Sequence, residues 1–338
     1  MKGFIYTFLP VLMFLLSTSC EKIIELKPAN LSDKIVINAI VSPDTTVIAA
    51  IGEIKSIEYE DFSISDGENF TFETEYITGD TYFRNRGFMV KPSSIQSKVK
   101  AKVVLNEKEE YSMWINTDTL DSRFMSECRP QAGDKVEIIV EVDSAGYESA
   151  SAVAEIPAPQ SIEVVKHEVI YSQNTPVDYQ GYKIPDKSGC DSVMRVTLKI
   201  NDPGNERNYY RLRVAGAGNK NVTELFSSED VLFYDPDLAY GYGFVIPAYF
   251  SNVFNDDSIN GKEYTFVVES RKRNEPNART IIELQSISAD LFYYIKSYMK
   301  YRIADFDSFD VPIGIYSNVE NGWGIFGASS KTQMVIHY

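Results

Sequence analysis

The 338-residue chain is short of the side chains on which most enzymes rely. It holds two histidines, His167 and His337, three cysteines and two tryptophans. Acid–base chemistry at neutral pH leans on histidine, and no G-x-S-x-G elbow marks a nucleophilic serine. No C-x-x-C pair occurs, which leaves zinc-ribbon and thioredoxin chemistry without support. Basic residues are also scarce: 33 Lys and Arg stand against 48 Asp and Glu, a formal net charge of −15. Such a chain is repelled by nucleic acid and by anionic lipid heads, so nucleic-acid binding is discarded. Paired carboxylates suffice for glycoside hydrolysis, but where acidic residues are this common their pairing by chance carries no weight. The expectation is a protein that is not an enzyme, with no catalytic residues, no metal and no cofactor.

Long apolar runs are missing too, save one. The block from Phe4 to Leu16 follows Lys2 and contains Pro10. It is shorter than the roughly 20 residues that span a bilayer, and its proline disfavours a retained helix. It closes in Leu16-Ser17-Thr18-Ser19-Cys20. A basic start, an apolar block and small residues at the cut make a secretory signal, and a cut before cysteine resembles a bacterial lipobox. Residues 1–19 then read as a lipoprotein signal peptide and Cys20 as the lipidated residue. Acyl chains contribute about 0.8 kcal/mol per buried CH2, and two or more hold a protein stably on a membrane. Residues 20–32 read as a tether. Glu21 and Glu25 in it fit either an export signal for the outer leaflet or plain linker polarity. The expected location is the outer membrane, lipid-anchored, at the cell surface or on the periplasmic face.

What the chain has in plenty is aromatic and β-branched residues, with 22 Tyr and 19 Phe. Period-two alternation marks half-buried strands: Val99, Ala101, Val103 and Leu105; Val136, Ile138, Val140 and Val142; Met194, Val196, Leu198 and Ile200; Tyr210, Leu212 and Val214. Turn clusters such as Ser42-Pro43-Asp44-Thr45 and Asn201-Asp202-Pro203-Gly204-Asn205 separate them. The second cluster reads as the turn of a hairpin. Pro157-Ala158-Pro159 is the best boundary, giving an N-terminal β-sandwich domain over 33–158 and a C-terminal β-rich domain over 159–338. The expected fold is mainly β, as two sandwich-like, immunoglobulin-like modules. One helix is expected at about 289–303, with Ser288 as N-cap, Asp290 in the first turn and Leu291, Ile295 and Tyr298 on one face.

Several clusters invite a functional reading beside a structural one. Asp305, Asp307 and Asp310 are spaced as hard-oxygen ligands, yet the glycine and terminal glutamate of an EF-hand are missing; a solvated acidic loop is the plainer reading. Asp235, Asp237, Asp256 and Asp257 deserve the same treatment. Cys128 and Cys190 are either a disulfide or two separate thiols. Asn321 to Gly327 sets three glycines around Trp323 and Phe326. It is either a contact loop or a final hairpin whose aromatics plug the core, and packing is favoured. Tyr- and Phe-rich stretches at 62–83 and 233–254 are the better candidates for partner or ligand contact. There Phe70, Phe72, Tyr76, Tyr82, Tyr240 and Tyr242 would meet a protein, peptide or glycan.

The order of several motifs makes the chain recognisable. They are Cys20 of the lipobox, the strand Ile35–Val41, Asp202-Pro203-Gly204 with Asn208-Tyr209-Tyr210, and the run Asn260–Phe266. Ile287–Tyr294 follows, and then Tyr316-Ser317-Asn318-Val319 with Asn321–Gly327. This pattern resembles the Bacteroidota outer-membrane lipoproteins grouped as domain of unknown function 4249, over nearly the whole chain. The stretch 55–95 is the part without a counterpart. The resemblance implies a β-sandwich lipoprotein that works beside TonB-dependent outer-membrane transporters, with a TonB-dependent receptor as partner. It brings no catalytic residues. The alternative is a free-standing structural or adhesive surface lipoprotein.

Overall fold

In a computed structural model the described residues are 34–54, 96–115, 123–171, 192–204, 206–217, 222–223, 230–235, 251–272, 277–304 and 314–337. Ser32–Tyr338 belong to one compact unit. Its first strands are β1 (Lys34–Val41), β2 (Ile48–Ile54), β3 (Val99–Leu105), β4 (Glu109–Ile115), β5 (Phe124–Met125), β6 (Lys135–Val142) and β7 (Ala150–Glu155). Then come β8 (Ile162–Tyr171), β9 (Ser192–Asn201), β10 (Tyr209–Ala217), β11 (Val222–Thr223), β12 (Val253–Asn255), β13 (Glu263–Arg271) and β14 (Arg279–Ile287). Helix α1 (Ala289–Ala304) and strand β15 (Gly322–His337) complete the order. The protein is mainly β, with strands gathered into large sheets, as the alternation implies.

The strands exist because alternate residues have a core to enter. In β6, Val136, Ile138 and Val140 are buried while Lys135 and Glu141 stay in solvent. Burying each such side chain contributes about 1.5–3 kcal/mol. The β3–β4 hairpin turns through Asn106 and Glu107, both at positive φ, and the Lys108 amide donates to the Leu105 carbonyl at 3.0 Å to close the turn. The Asn106 side chain fixes that turn, donating to Asp134 and accepting from the Lys135 amide.

The larger sheet runs β11-β10-β14-β15-β1-β2-β5-β4-β3-β6-β7, with β12 also on β10; the smaller is β13-β9-β8. One hydrophobic cluster draws on β1 to β7 and takes Val319, Phe326 and Ala328 from the end of the chain. A second lies between β8-β9-β13 and β10-β14, around Met194, Leu198, Tyr210, Phe233, Phe266 and Leu284. Pro157 and Pro159 fall between β7 and β8 in the chain. Strand β15 pairs parallel with β1 and antiparallel with β14, so it borders both clusters.

Two local expectations are corrected. The segment around Asp202 is not a hairpin turn, because β9 and β10 lie in different sheets. The chain there crosses from one layer to the other, and Asp202 holds the corner. Its carboxylate accepts from the Tyr210 hydroxyl at 2.6 Å and from the Gly261 amide at 3.1 Å. Nor is Asn321–Gly327 a hairpin: it opens a 16-residue strand laid against β1.

Candidate functional site

The N-terminus of α1 is the scaffold. Ser288 Oγ accepts from the Leu291 amide at 3.4 Å and from the Ala328 amide at 3.1 Å, so one hydroxyl both caps the helix and ties it to β15. Leu291, Phe292 and Tyr294 turn inward onto Val253, Ile287 and Ile325. That leaves Tyr293 pointing outward with 43% of its surface exposed.

Tyr293 is the centre of an aromatic strip. The Tyr209 ring, at the start of β10, lies 4.9 Å from Phe292 and 6.0 Å from Tyr293, centroid to centroid. Tyr316 lies 5.8 Å from Tyr293 on the other side. The Tyr209 and Tyr293 hydroxyls are 3.4 Å apart, and the Tyr316 hydroxyl donates to Asp290. The Tyr316 amide donates to Ser297 Oγ at 2.8 Å, which ties the segment before β15 to the helix. At the far end the Arg207 guanidinium sits 5.7 Å over the Tyr209 ring and donates to Asp257 at 2.7 Å.

The strip has a defined chemistry. Burial, then the hydrogen bond to Tyr293, pushes the Tyr209 hydroxyl up to about 12. Burial, then the bond to Asp290, pushes Tyr316 up to about 12. Both remain protonated at any physiological pH, so they serve as hydrogen-bond groups and not as nucleophiles. Ring faces carried on a capped helix and a sheet strand lose little entropy on contact, which suits a binding surface.

Three of the segments that carry the family resemblance, Asn208–Tyr210, Ile287–Tyr294 and Tyr316–Val319, supply the residues of this strip. Tyr209 is aimed by its neighbours: Tyr210 is locked to Asp202, and the Asn208 amide donates to the buried Asp256 carboxylate at 2.8 Å. Gly324, at φ +111°, lets β15 pass β1, since a side chain there would stand 2.1 Å from the Ile37 carbonyl oxygen.

Of the residues expected from sequence to form sites, most lie outside the described residues: Cys20, Phe70, Phe72, Tyr76, Tyr82, Tyr240, Tyr242 and Cys190, and with them Asp237, Asp305, Asp307 and Asp310. Phe326 is not a contact residue, because it is fully buried in the first core. Trp323 does not plug that core; it is 45% exposed, on β15 beside Val36. Asp235 is paired with Lys296 at 2.5 Å. Among the described residues no group of three His, Cys, Asp or Glu is placed to hold a metal ion. His167 and His337 are exposed on β8 and β15. Cys128 is a buried free thiol, pushed up to about 11 by burial, and so is unreactive.

Sequence reasoning missed both the aromatic strip and a buried charge cluster. Arg213 and Glu283 face each other across β10 and β14, only 4% and 1% exposed, with Arg213 donating to Glu283 at 3.4 Å. Gln285 donates to the same carboxylate at 2.7 Å, and Lys331 stands 3.7 Å away. Alternation assigned Arg213 to solvent. The available signal was Glu283 itself, set between Ile282 and Leu284 in the strand Arg279–Ile287, which is buried on both faces.

No curated protein matches the chain significantly. A family model described as Domain of unknown function (DUF4249) matches residues 22–334. The chain, across nearly its whole length, belongs to that family.

Proposed function

We propose that this is a lipid-anchored outer-membrane lipoprotein of the Bacteroidota type, held at the cell surface through Cys20, that acts by contact as a binding or accessory subunit of a TonB-dependent transporter. The observation that carries the reading is the aromatic strip Tyr209–Tyr293–Tyr316, with Arg207 at one end and Asp290 at the other. Tyrosine and arginine anchors on rigid elements are what protein–protein hot spots are made of. The lipobox Leu16–Cys20 supports the anchored location. Among the described residues no helix is long and apolar enough to cross a membrane.

The test is co-purification from detergent-solubilised outer membrane. The wild-type chain is expected to bring down a TonB-dependent transporter, and the Tyr209→Ala/Tyr293→Ala variant to lose it. Wild-type protein that returns only copies of itself would instead support a free-standing adhesive lipoprotein.

A further inference from the structure

A second site lies well away from α1 in the fold, where β5 bridges β2 and β4. The run Phe124–Pro130 is extended, and its burial alternates. Phe124, Ser126 and Cys128 turn inward, while Met125, Glu127 and Arg129 face the opposite side. Backbone bonds hold the run in place: the Ser126 amide donates to the Val47 carbonyl at 3.0 Å, and the Val47 amide to the Cys128 carbonyl at 3.2 Å. Ser126 Oγ accepts from the Cys128 amide at 3.2 Å, which fixes the backbone between the two outward charges. Directly across from Met125 stands Trp114 on β4, 46% exposed. Thr46, Trp114, Met125, Ser126, Glu127 and Arg129 line an open cleft of about 390 Å³, inside the size range of small-molecule sites.

We infer that this cleft binds a neutral saccharide. The Trp114 indole and the Met125 thioether line the cleft with apolar surface of the kind that suits the C–H groups of a sugar ring. Among the described residues, neither the Glu127 carboxylate nor the Arg129 guanidinium has a side-chain hydrogen-bond or ion-pair partner. Side chains at i and i+2 of an extended run are about 7 Å apart, so the cleft presents an acceptor and a donor side by side. An anionic ligand meets Glu127 and a chain of net charge −15; a cationic one meets Arg129. Hydroxyl groups both donate and accept, so a neutral polyhydroxylated ligand satisfies both charges and is repelled by neither. The inference does not depend on the transporter reading, which rests on the other surface.

The chain has two tryptophans, Trp114 and Trp323, so full-length Trp323→Phe protein reports from Trp114 alone. Its emission is titrated with cellohexaose, maltohexaose and mannohexaose up to about 10 mM, with binding to further variants followed by saturation-transfer NMR. At least one probe is expected to quench or blue-shift Trp114 saturably, with a Kd of about 1 mM. Trp114→Ala is expected to abolish that binding and Arg129→Ala to weaken it about tenfold. Flat titrations with all three probes would overturn the inference. So would unchanged affinity in Arg129→Ala, a variant whose exposed site keeps the test valid should Trp114→Ala fail to fold.

Discussion

Gly327 of β15 lies directly beneath Leu291 of α1: a methyl group at Gly327 would stand 2.9 Å from the Leu291 Cβ. The helix can sit this close to the sheet only because the strand offers no side chain at that position. Gly327→Ala should therefore lift the N-terminus of α1 and cost about 1–3 kcal/mol by overpacking. A urea midpoint falling with an unchanged m-value would show it; an unaltered midpoint would mean that the contact is slack.

The corner between β9 and β10 depends on Asp202. Asp202→Ala leaves the buried Tyr210 hydroxyl and the Gly261 amide without their acceptor. Orphaning the buried Tyr210 hydroxyl costs about 1–3 kcal/mol. That is the expected loss in chemical denaturation, with a changed near-UV circular dichroism signal from the neighbouring tyrosines. Wild-type stability would show that water replaces the carboxylate.

Tyr293 should behave in the opposite way. Tyr293 is 43% exposed, and surface changes away from caps and cores usually stay within about 0.5 kcal/mol. Tyr293→Ala should leave the unfolding midpoint almost unmoved while reducing partner capture. A variant that unfolds early would make Tyr293 a structural residue.

These contrasts bear on what the sequence makes legible. Strands such as Lys135–Val142 and Ser192–Asn201 declare themselves because each buries one face, and period two follows directly. The helix is read to within a residue, Ala289–Ala304 against 289–303, because Ser288 caps it and its apolar stripe is wide. The crossing at Asp202 is hidden, since two alternating strands look the same whether they pair with each other or lie in different sheets. The burial of Arg213 is hidden for a related reason: alternation shows which residues share a face, not whether a second layer covers it. The aromatic strip is hidden most deeply. Tyr209, Tyr293 and Tyr316 are far apart in the chain and meet only because β10, α1 and the approach to β15 converge.

The buried charge pair gives a sharper stability prediction. Glu283→Ala leaves Arg213 buried without that carboxylate and removes the acceptor used by Gln285. Breaking one side of a buried ion pair costs about 3–5 kcal/mol, enough to unfold many domains. A shift in denaturation midpoint below about 1 kcal/mol would mean that other groups carry the arginine.

Alkaline titration tests the strip without mutating the fold. Burial pushes the Tyr209 and Tyr316 hydroxyls up to about 12 in the folded protein, against about 10 in an unfolded chain. Between those values the folded state binds more protons, so stability falls as pH rises. The contribution is fully present below about pH 10 and is lost on the way to about 12. Tyrosinate absorbance in Tyr209→Phe and Tyr316→Phe should each lack one late-titrating phenol. Loss of an ordinary phenol in both would dissolve the hydrogen-bonded strip.

We propose that the protein works by pressing its tyrosine strip against a transporter in the outer membrane. The most direct measurement is photo-crosslinking in intact cells from a benzoyl-phenylalanine placed at position 293, with exposed Val165 on β8 as control site. The account predicts an adduct to a TonB-dependent transporter from position 293 and none from 165. Adducts only between copies of this chain, or equal transporter yield from both positions, would contradict it.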